Sequence, residues 1–384
     1  MKICMFLIDN IYYDARVQKE AVSLIDDGHE VDLITLNEKE IEDKEVFLGI
    51  TLKKISIITR GFPKNIFFWV LKYFEFIIKS LFLGFAKDYD VYHCHDLPTL
   101  FMGVLIAKIK GKKVIYDSHE IYTEMTGAKL KKVWRLIERL FAKYADVTIL
   151  TDEYRKEIFE SMYPKVSNSK IIMNVPELQK NNSKCSRDLS VEVKLKENEI
   201  LGIYFGTLLP KRFLEEIILS LKYLPDYIKI ALVGPVNENY KKRLEKIISD
   251  NKLQEQVFIL KPIRRNNLIN YVSKADFSFV FYSKNNINNK YCSPNKLFES
   301  LHAGLPMITS DNPLILDVLD KSFVGIAIKN EIINSKLIAK SILKLIKEHN
   351  IRRMKSNCEK LSKEYSWNLE EKKLISIYKQ LYKT

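Results

Sequence analysis

The chain has 384 residues, 47% hydrophobic and 29% charged, and its 62 Lys and Arg against 48 Asp and Glu give a formal charge of +14. Such content excludes general disorder, the length suits two cores of roughly 180 residues each, and the cation excess favours anionic partners without naming one. The five cysteines (Cys4, Cys94, Cys185, Cys292, Cys358) show no metal-type or redox-type spacing, which predicts reduced thiols and no disulfide framework.

Lys2 to Ile8 is a near-continuous apolar run and predicts a parallel strand buried on both faces. It gives way to polar residues with no small-residue cleavage site, so it does not read as a signal peptide. A helix follows with Val17, Ala21, Leu24 and Ile25 on one stripe, stops at Gly28, and leads into a strand from His29 to Leu36. Ligands of such β-α-β units bind at the carboxyl ends of the strands, which places Asp14 and Arg16 on the functional rim. The loop lacks the glycine-rich dinucleotide fingerprint, so nothing supports NAD or FAD.

Gly49 to Ile58 predicts a further strand and the apolar segment from Asn65 a helix, interrupted by Lys72, Glu75 and Lys79. No run approaches the roughly 20 apolar residues that span a bilayer. Residues 53–87 carry seven Lys or Arg against one acid, interleaved with Phe62, Phe67, Phe68, Trp69, Tyr73 and Phe76. That pattern suits the surface of an anionic membrane and suits equally a core-packed helix with a solvated basic edge.

Tyr89 to Asp96 reads as a strand running into a polar rim, followed by a helix through Leu100 to Ile109. Lys112 to Asp117 repeats the pattern and delivers Ser118-His119-Glu120. Three histidines (His93, His95, His119) thus arrive on two strand ends, which makes His119 the best catalytic candidate, with His95 and Asp96 lining the acceptor side beside Asp14 and Arg16. Residues 128–145 predict a basic amphipathic helix with Val133, Leu136, Ile137, Leu140 and Phe141 inward. Val147 to Thr151 and Ile171 to Pro176 complete the sheet, and the polar, lysine-rich stretch 179–198 reads as a linker.

The second half begins again with strands at Ile200 to Phe205, Ile228 to Val233, Val257 to Leu260, Phe277 to Tyr282 and Met307 to Ser310, alternating with helices. Gly206 after the first of these lets a phosphate approach the backbone, and Arg212 closes on it from the next turn. Ser293 is placed as the N-cap and Pro294 as the first residue of a helix with Leu297, Phe298 and Leu301 on its apolar stripe, stopped at Gly304. Lys296 is then a cation in the first turn, at odds with the helix dipole, and a phosphate above the N–H groups of Asn295 to Phe298 resolves that conflict. Glu299 lies close enough to reach ribose hydroxyls. The closing segment, Lys336 to Leu381, is helical with a break at Tyr365 and Trp367.

Ser-Pro-Asn-Lys-Leu-Phe-Glu-Ser-Leu-His-Ala-Gly-Leu-Pro (293–306) resembles the donor-binding signature of family 4 glycosyltransferases with the GT-B fold, retaining enzymes that use nucleotide-activated sugars. The resemblance implies two Rossmann-like doubly wound domains facing a cleft: 1–178 on the acceptor side, linker 179–198, 199–364 for the nucleotide sugar, and 365–384 as a helix crossing back. It implies catalytic roles for His119, Arg212 and Lys296, and donor contacts from Gly206, Thr207, Tyr291, Ser293, Pro294, Asn295, Leu297, Phe298 and Glu299. Tyr291 stands where many members have a first glutamate, and Thr207 where the family has an arginine directly after the glycine. The implied substrates are a UDP-, GDP- or dTDP-sugar and a glycan or lipid-linked acceptor, with no cofactor, metal or nucleic acid. The implied setting is bacterial capsule, O-antigen or exopolysaccharide assembly, in the cytoplasm or peripheral at the inner face of the plasma membrane through residues 53–87. Two rivals share the architecture: a nucleotide-sugar epimerase, and a degenerate, non-catalytic transferase that holds lipid or glycan.

Overall fold

Apolar runs bounded by polar turns become the buried strands of two separate sheets. The computed structural model describes residues 1–37, 45–63, 65–125, 128–178, 187–329, 332–347 and 351–383. These divide into unit 1, Met1–Asn174 with Asn368–Thr384, and unit 2, Val175–Trp367.

The strands of unit 1 are β1 (Lys2–Leu7), β2 (Glu30–Leu36), β3 (Val46–Phe47), β4 (Ile50–Ile55), β5 (Val91–His95), β6 (Lys113–Ser118), β7 (Val147–Leu150) and β8 (Ser169–Ile171). They lie in the order β3-β4-β2-β1-β5-β6-β7-β8, parallel throughout except for the β3–β4 hairpin. Five of the six β1 residues and all five of β5 are buried, as strands covered on both faces must be. Asp14 caps the helix Ala15–Asp26, its carboxylate accepting from the N–H groups of Arg16 and Val17.

The helix Ala128–Phe141 is turned partway from its expected orientation: Ile137 and Phe141 pack on the core as expected, half-buried. Val133, Leu136 and Leu140 are exposed, and Trp134 and Glu138 are buried instead. The reason is a polar pair of anchors: the phenols of Tyr116 and Tyr163 each donate to Glu138 at 2.6 Å, while Trp134 packs edge-on against Tyr73 and Tyr122. Burial, working against those two hydrogen bonds, pushes the Glu138 carboxyl up to about 7.

Unit 2 holds β9 (Ile200–Phe205), β10 (Ile228–Val233), β11 (Val257–Leu260), β12 (Phe277–Val280), β13 (Met307–Ser310) and β14 (Gly325–Ile328), all parallel, in the order β11-β10-β9-β12-β13-β14. The sequence did not announce β14 or the helix Pro313–Lys321 before it. Of the expected linker, 179–186 lie outside the described residues, and the rest belongs to unit 2, where Leu189 and Val193 are buried in its core. Cys185 also lies outside the described residues; Cys4, Cys94, Cys292 and Cys358 are buried and form no disulfide among the described residues.

The last helix, Trp367–Lys383, passes to unit 1 from Asn368 onward. There the Tyr378 hydroxyl lies 2.7 Å from His93 Nδ1, and Glu370 accepts the Met173 N–H at 2.9 Å. No helix among the described residues is long and apolar enough to cross a membrane.

Candidate active site

In unit 1 the ends of β5 and β6 lie in register, with His95 beside Asp117. Asp117 is fully buried and is the hub. Arg16 donates to its two oxygens at 2.8 and 2.7 Å and to the Ile172 carbonyl at 2.7 Å, and it lies 3.0 Å from Glu20. His119 Nε2 is 2.9 Å from Asp117, and His95 Nδ1 is 3.3 Å from Asp117 and 3.2 Å from His119. On its outer side His119 Nδ1 is 3.4 Å from Asp96 and 3.9 Å from Asp14.

Two expectations are corrected here. Arg16 and His95 were placed on the acceptor side, but both are buried, Arg16 as the counter-ion of Asp117 and Glu20 and His95 as a packing partner beneath His119. The accessible rim of this unit consists of His119, Asp14 and Asp96, with 14%, 21% and 26% of their side chains exposed.

Asp96 takes φ 61° and ψ 163°, a backbone region that side chains other than glycine rarely enter, at a cost of order 1–3 kcal/mol. Its N–H bonds the Asp117 carbonyl at 2.8 Å and its carboxylate accepts the His119 N–H at 3.0 Å, so two neighbours hold the strained residue in place.

Charges in this network sort by environment. Burial lowers His119, but Asp96, Asp117 and Asp14 outweigh it and push the imidazole up to about 10, so it is a cation at neutral pH. Burial, with Asp117 adding, pushes Asp96 up to about 6 against the pull of His119. Burial opposes Asp117, yet Arg16 and His119 hold it well below the usual carboxylate range. His93 and His95 are lowered by burial and stay neutral. Protonated His119 is a hydrogen-bond donor, not a base.

Ligand atoms of Glu20, His93, His95 and Asp117 lie within 4.8 Å of one another, the spacing of a metal site. The Arg16 guanidinium already supplies their positive charge through its contacts with Glu20 and Asp117, which a metal ion would have to displace.

In unit 2 the turn after β9 is built for close approach. Gly206 has φ 105° and Gly234 φ 153°, and a Cβ on Gly234 would sit 2.0 Å from the Gly206 carbonyl oxygen. A Cβ on Gly206 would meet Lys296 Cε at 2.6 Å, so the lysine lies directly over the glycine. Lys296 Nζ donates to the Tyr204 hydroxyl at 2.8 Å, and the Arg212 guanidinium stacks 3.8 Å from the centre of the Tyr282 ring. Phe213 follows Arg212 in the left-handed region at φ 56°, ending the turn that carries the arginine. Among the described residues neither cation is ion-paired. Burial, with Arg212 adding, pushes Lys296 down to about 7, while nearby Glu299 acts the other way.

The helix below Lys296 runs Asn295–His302, one residue later than expected, with Pro294 at the cap and no side-chain cap bond. Ser293 is not its N-cap; its hydroxyl is buried without a hydrogen-bond partner in this structure. Leu297 and Phe298 are core residues, whereas Asn295, Glu299 and Tyr291 are half-buried and Thr207 is exposed. The Thr207 carbonyl accepts the Tyr204 hydroxyl at 3.1 Å.

The sequence reading missed Asp117, Tyr204 and Tyr282. Each closes or follows a strand, and the signal that finds them is a polar or aromatic side chain beside a glycine turn or histidine already singled out.

Residues 186–363 match the family described as glycosyl transferases group 1, and residues 16–173 match glycosyltransferase family 4. Among curated proteins, the uncharacterized glycosyltransferase MJ1607 of Methanocaldococcus jannaschii is 20% identical, over 94% of this chain and 92% of that protein. MJ1059 of the same organism is 23% identical over 67% of this chain, and the match spans 64% of that protein. Among solved structures, sucrose-phosphate synthase from Thermosynechococcus elongatus superposes with a TM-score of 0.81 at 15% identity, over 100% of this chain and 99% of the other. Anabaena HepE, solved with UDP and glucose, gives 0.77 at 15% identity, over 99% and 100%.

Proposed function

The chain, matched in both halves, belongs to the group 1 glycosyl transferases of GT-B fold, and from that premise we propose that it moves a sugar from a nucleotide donor to an acceptor hydroxyl with retention. The observation that carries this reading is the pair of cations that form no ion pair among the described residues, Arg212 and Lys296, at a glycine turn and a helix N-terminus without a side-chain cap in unit 2. A nucleoside diphosphate brings the negative charge that this arrangement lacks. As the sugar departs, charge builds on the diphosphate, and fixed cations aimed at it lower the barrier.

Arg212, Lys296 and the Ser293 hydroxyl take the diphosphate over the Gly206 turn, and Glu299 takes the ribose. His119 donates a hydrogen bond to the donor sugar, while Asp14 and Asp96 face the acceptor. Because His119 is already protonated, the acceptor's proton goes to the departing phosphate in a front-face displacement, and no dedicated base is assigned. Cationic side chains do the neutralising that a metal ion would otherwise do. UDP is the first nucleotide to try, since HepE was solved with it.

We place the acceptor on a lipid carrier in bacterial surface-polysaccharide assembly, with the enzyme peripheral at the inner face of the plasma membrane. The support is in unit 1: the helix Ile66–Ala86 leaves Phe67, Phe74 and Phe82 at 69%, 58% and 76% exposure. Nucleotide release from a panel of UDP-, GDP- and dTDP-sugars tests the function. One donor is expected to be turned over, and Arg212→Ala or Glu299→Ala to remove that turnover; equal turnover in both variants would refute the assigned roles.

A further inference from the structure

Unit 1 contains a cavity of about 360 Å³, inside the range of roughly 300–1,000 Å³ typical of small-molecule sites. Its walls are apolar: Leu36, Ile57, Trp69, Tyr73 and Phe76 line it. It opens beside the rim described above, since Pro98 and Tyr122 also line it and follow Asp96 and His119 by two and three residues. Burial, with nearby Asp96 adding, pushes the Tyr122 phenol up to about 12, so it stays a neutral donor.

Two cations stand among these apolar walls. Arg60 donates to the Asn37 carbonyl and Lys72 to the Phe62 carbonyl at 2.8 Å, and neither meets a carboxylate among the described residues. The turn carrying Arg60 is itself anchored, because Glu75 accepts the N–H groups of Ile58 and Thr59 at 2.8 and 3.0 Å. Trp69, Lys72, Tyr73 and Phe76 all come from the helix whose other side exposes Phe67, Phe74 and Phe82. The Trp69 ring meets the ring of buried Trp134 edge-on at 6.3 Å, which ties the helix to the core of unit 1.

An apolar cavity with two cations among its walls matches one chemical class of ligand. We propose that this cavity receives the first part of the apolar chain of a lipid-linked acceptor, with its phosphate or diphosphate head held by Arg60 and Lys72. The assignment rests on the transferase reading and names the substrate class of its acceptor side. A free glycan would leave the apolar walls unused, and a neutral lipid would leave both cations unmatched.

The test is calorimetric titration of the full chain with farnesyl diphosphate, farnesol and inorganic pyrophosphate, with UDP saturating so that the diphosphate cannot enter unit 2. Farnesyl diphosphate is expected to bind one to one, at least about tenfold tighter than either half. Arg60→Gln with Lys72→Gln, and separately Ile57→Trp to fill the cavity, are each expected to weaken it by about tenfold or more, with UDP titration confirming that each variant is folded. Equal affinity for pyrophosphate, equal affinity for farnesol, or no loss in either variant would overturn the proposal. UDP binding without lipid binding removes the cavity assignment alone, whereas lipid binding without any nucleotide binding removes the transferase reading alone.

Discussion

Lys296 is held between two demands: the cradle keeps its ammonium away from water beside Arg212, which favours the neutral amine, and a bound diphosphate favours the cation. Its pKa of about 7 is therefore expected to rise on diphosphate binding, with uptake of a proton. Above pH 7 a terminal phosphate, with its second pKa near ~6, no longer changes charge, so the lysine dominates the pH dependence. UDP affinity is expected to fall as pH rises from 7 to 9, by up to about tenfold per unit. Lys296→Ala should bind more weakly, by roughly 1.5–3 kcal/mol, and show a flat profile; a slope unchanged in the variant would locate the titration elsewhere. In unit 1 the corresponding group is Asp96, at about 6. Turnover is expected to drop below pH 6 as that carboxylate takes a proton, and the acid limb should vanish in Asp96→Asn, read from turnover between pH 5 and 8. Gly206, Arg212 and Lys296 were legible in the sequence because a glycine turn and a cation at a helix start are local features. Asp117 as hub, and the burial of Arg16 and His95, were not legible, because they follow from the pairing of β5 with β6 across 22 residues and from Arg16 reaching Asp117 across 101.

The helix Ala128–Phe141 shows what periodicity cannot fix. Both Val133/Leu136/Leu140 and Trp134/Ile137/Phe141 repeat at helical spacing, so the period and the inward Ile137 and Phe141 were readable, but which flank of that stripe is buried was not. Phase is set by partners distant in sequence, the Tyr116 and Tyr163 phenols on Glu138 and the aromatic rings around Trp134. Replacing Val133, Leu136 and Leu140 by Ser is expected to change stability by no more than about 0.5 kcal/mol each, whereas Trp134→Ala should cost about 3–5 kcal/mol, both read by denaturant unfolding. The reverse order would restore the phase expected from sequence. The strands were easier. Runs such as Ile200 to Phe205, and Ile228 to Val233 with only Lys229 polar, are otherwise apolar or glycine and end at Gly206 and Gly234, so their bounds coincide with the observed ones. β14 begins at Gly325 and its first three residues are only half-buried, so it lacks the fully buried apolar run of β12 and β13.

Across the whole molecule the account assigns a separate task to each unit. Unit 1 presents an imidazolium among carboxylates, an apolar cavity and an exposed apolar, basic surface; unit 2 presents cations over a glycine turn. The net charge of +14 predicts that vesicle binding is stronger for anionic than for neutral lipid and weakens as salt screens it, which liposome flotation reads directly; equal flotation with both lipids would remove the electrostatic part. The most direct test concerns the donor. Calorimetric titration of the wild-type chain, Arg212→Ala and Lys296→Ala with UDP, GDP and dTDP should give saturable one-to-one binding of one nucleotide, weakened at least about tenfold in each variant. Binding of no nucleotide by the folded chain, or binding of equal strength in all three proteins, would contradict the claim that these cations hold the leaving diphosphate.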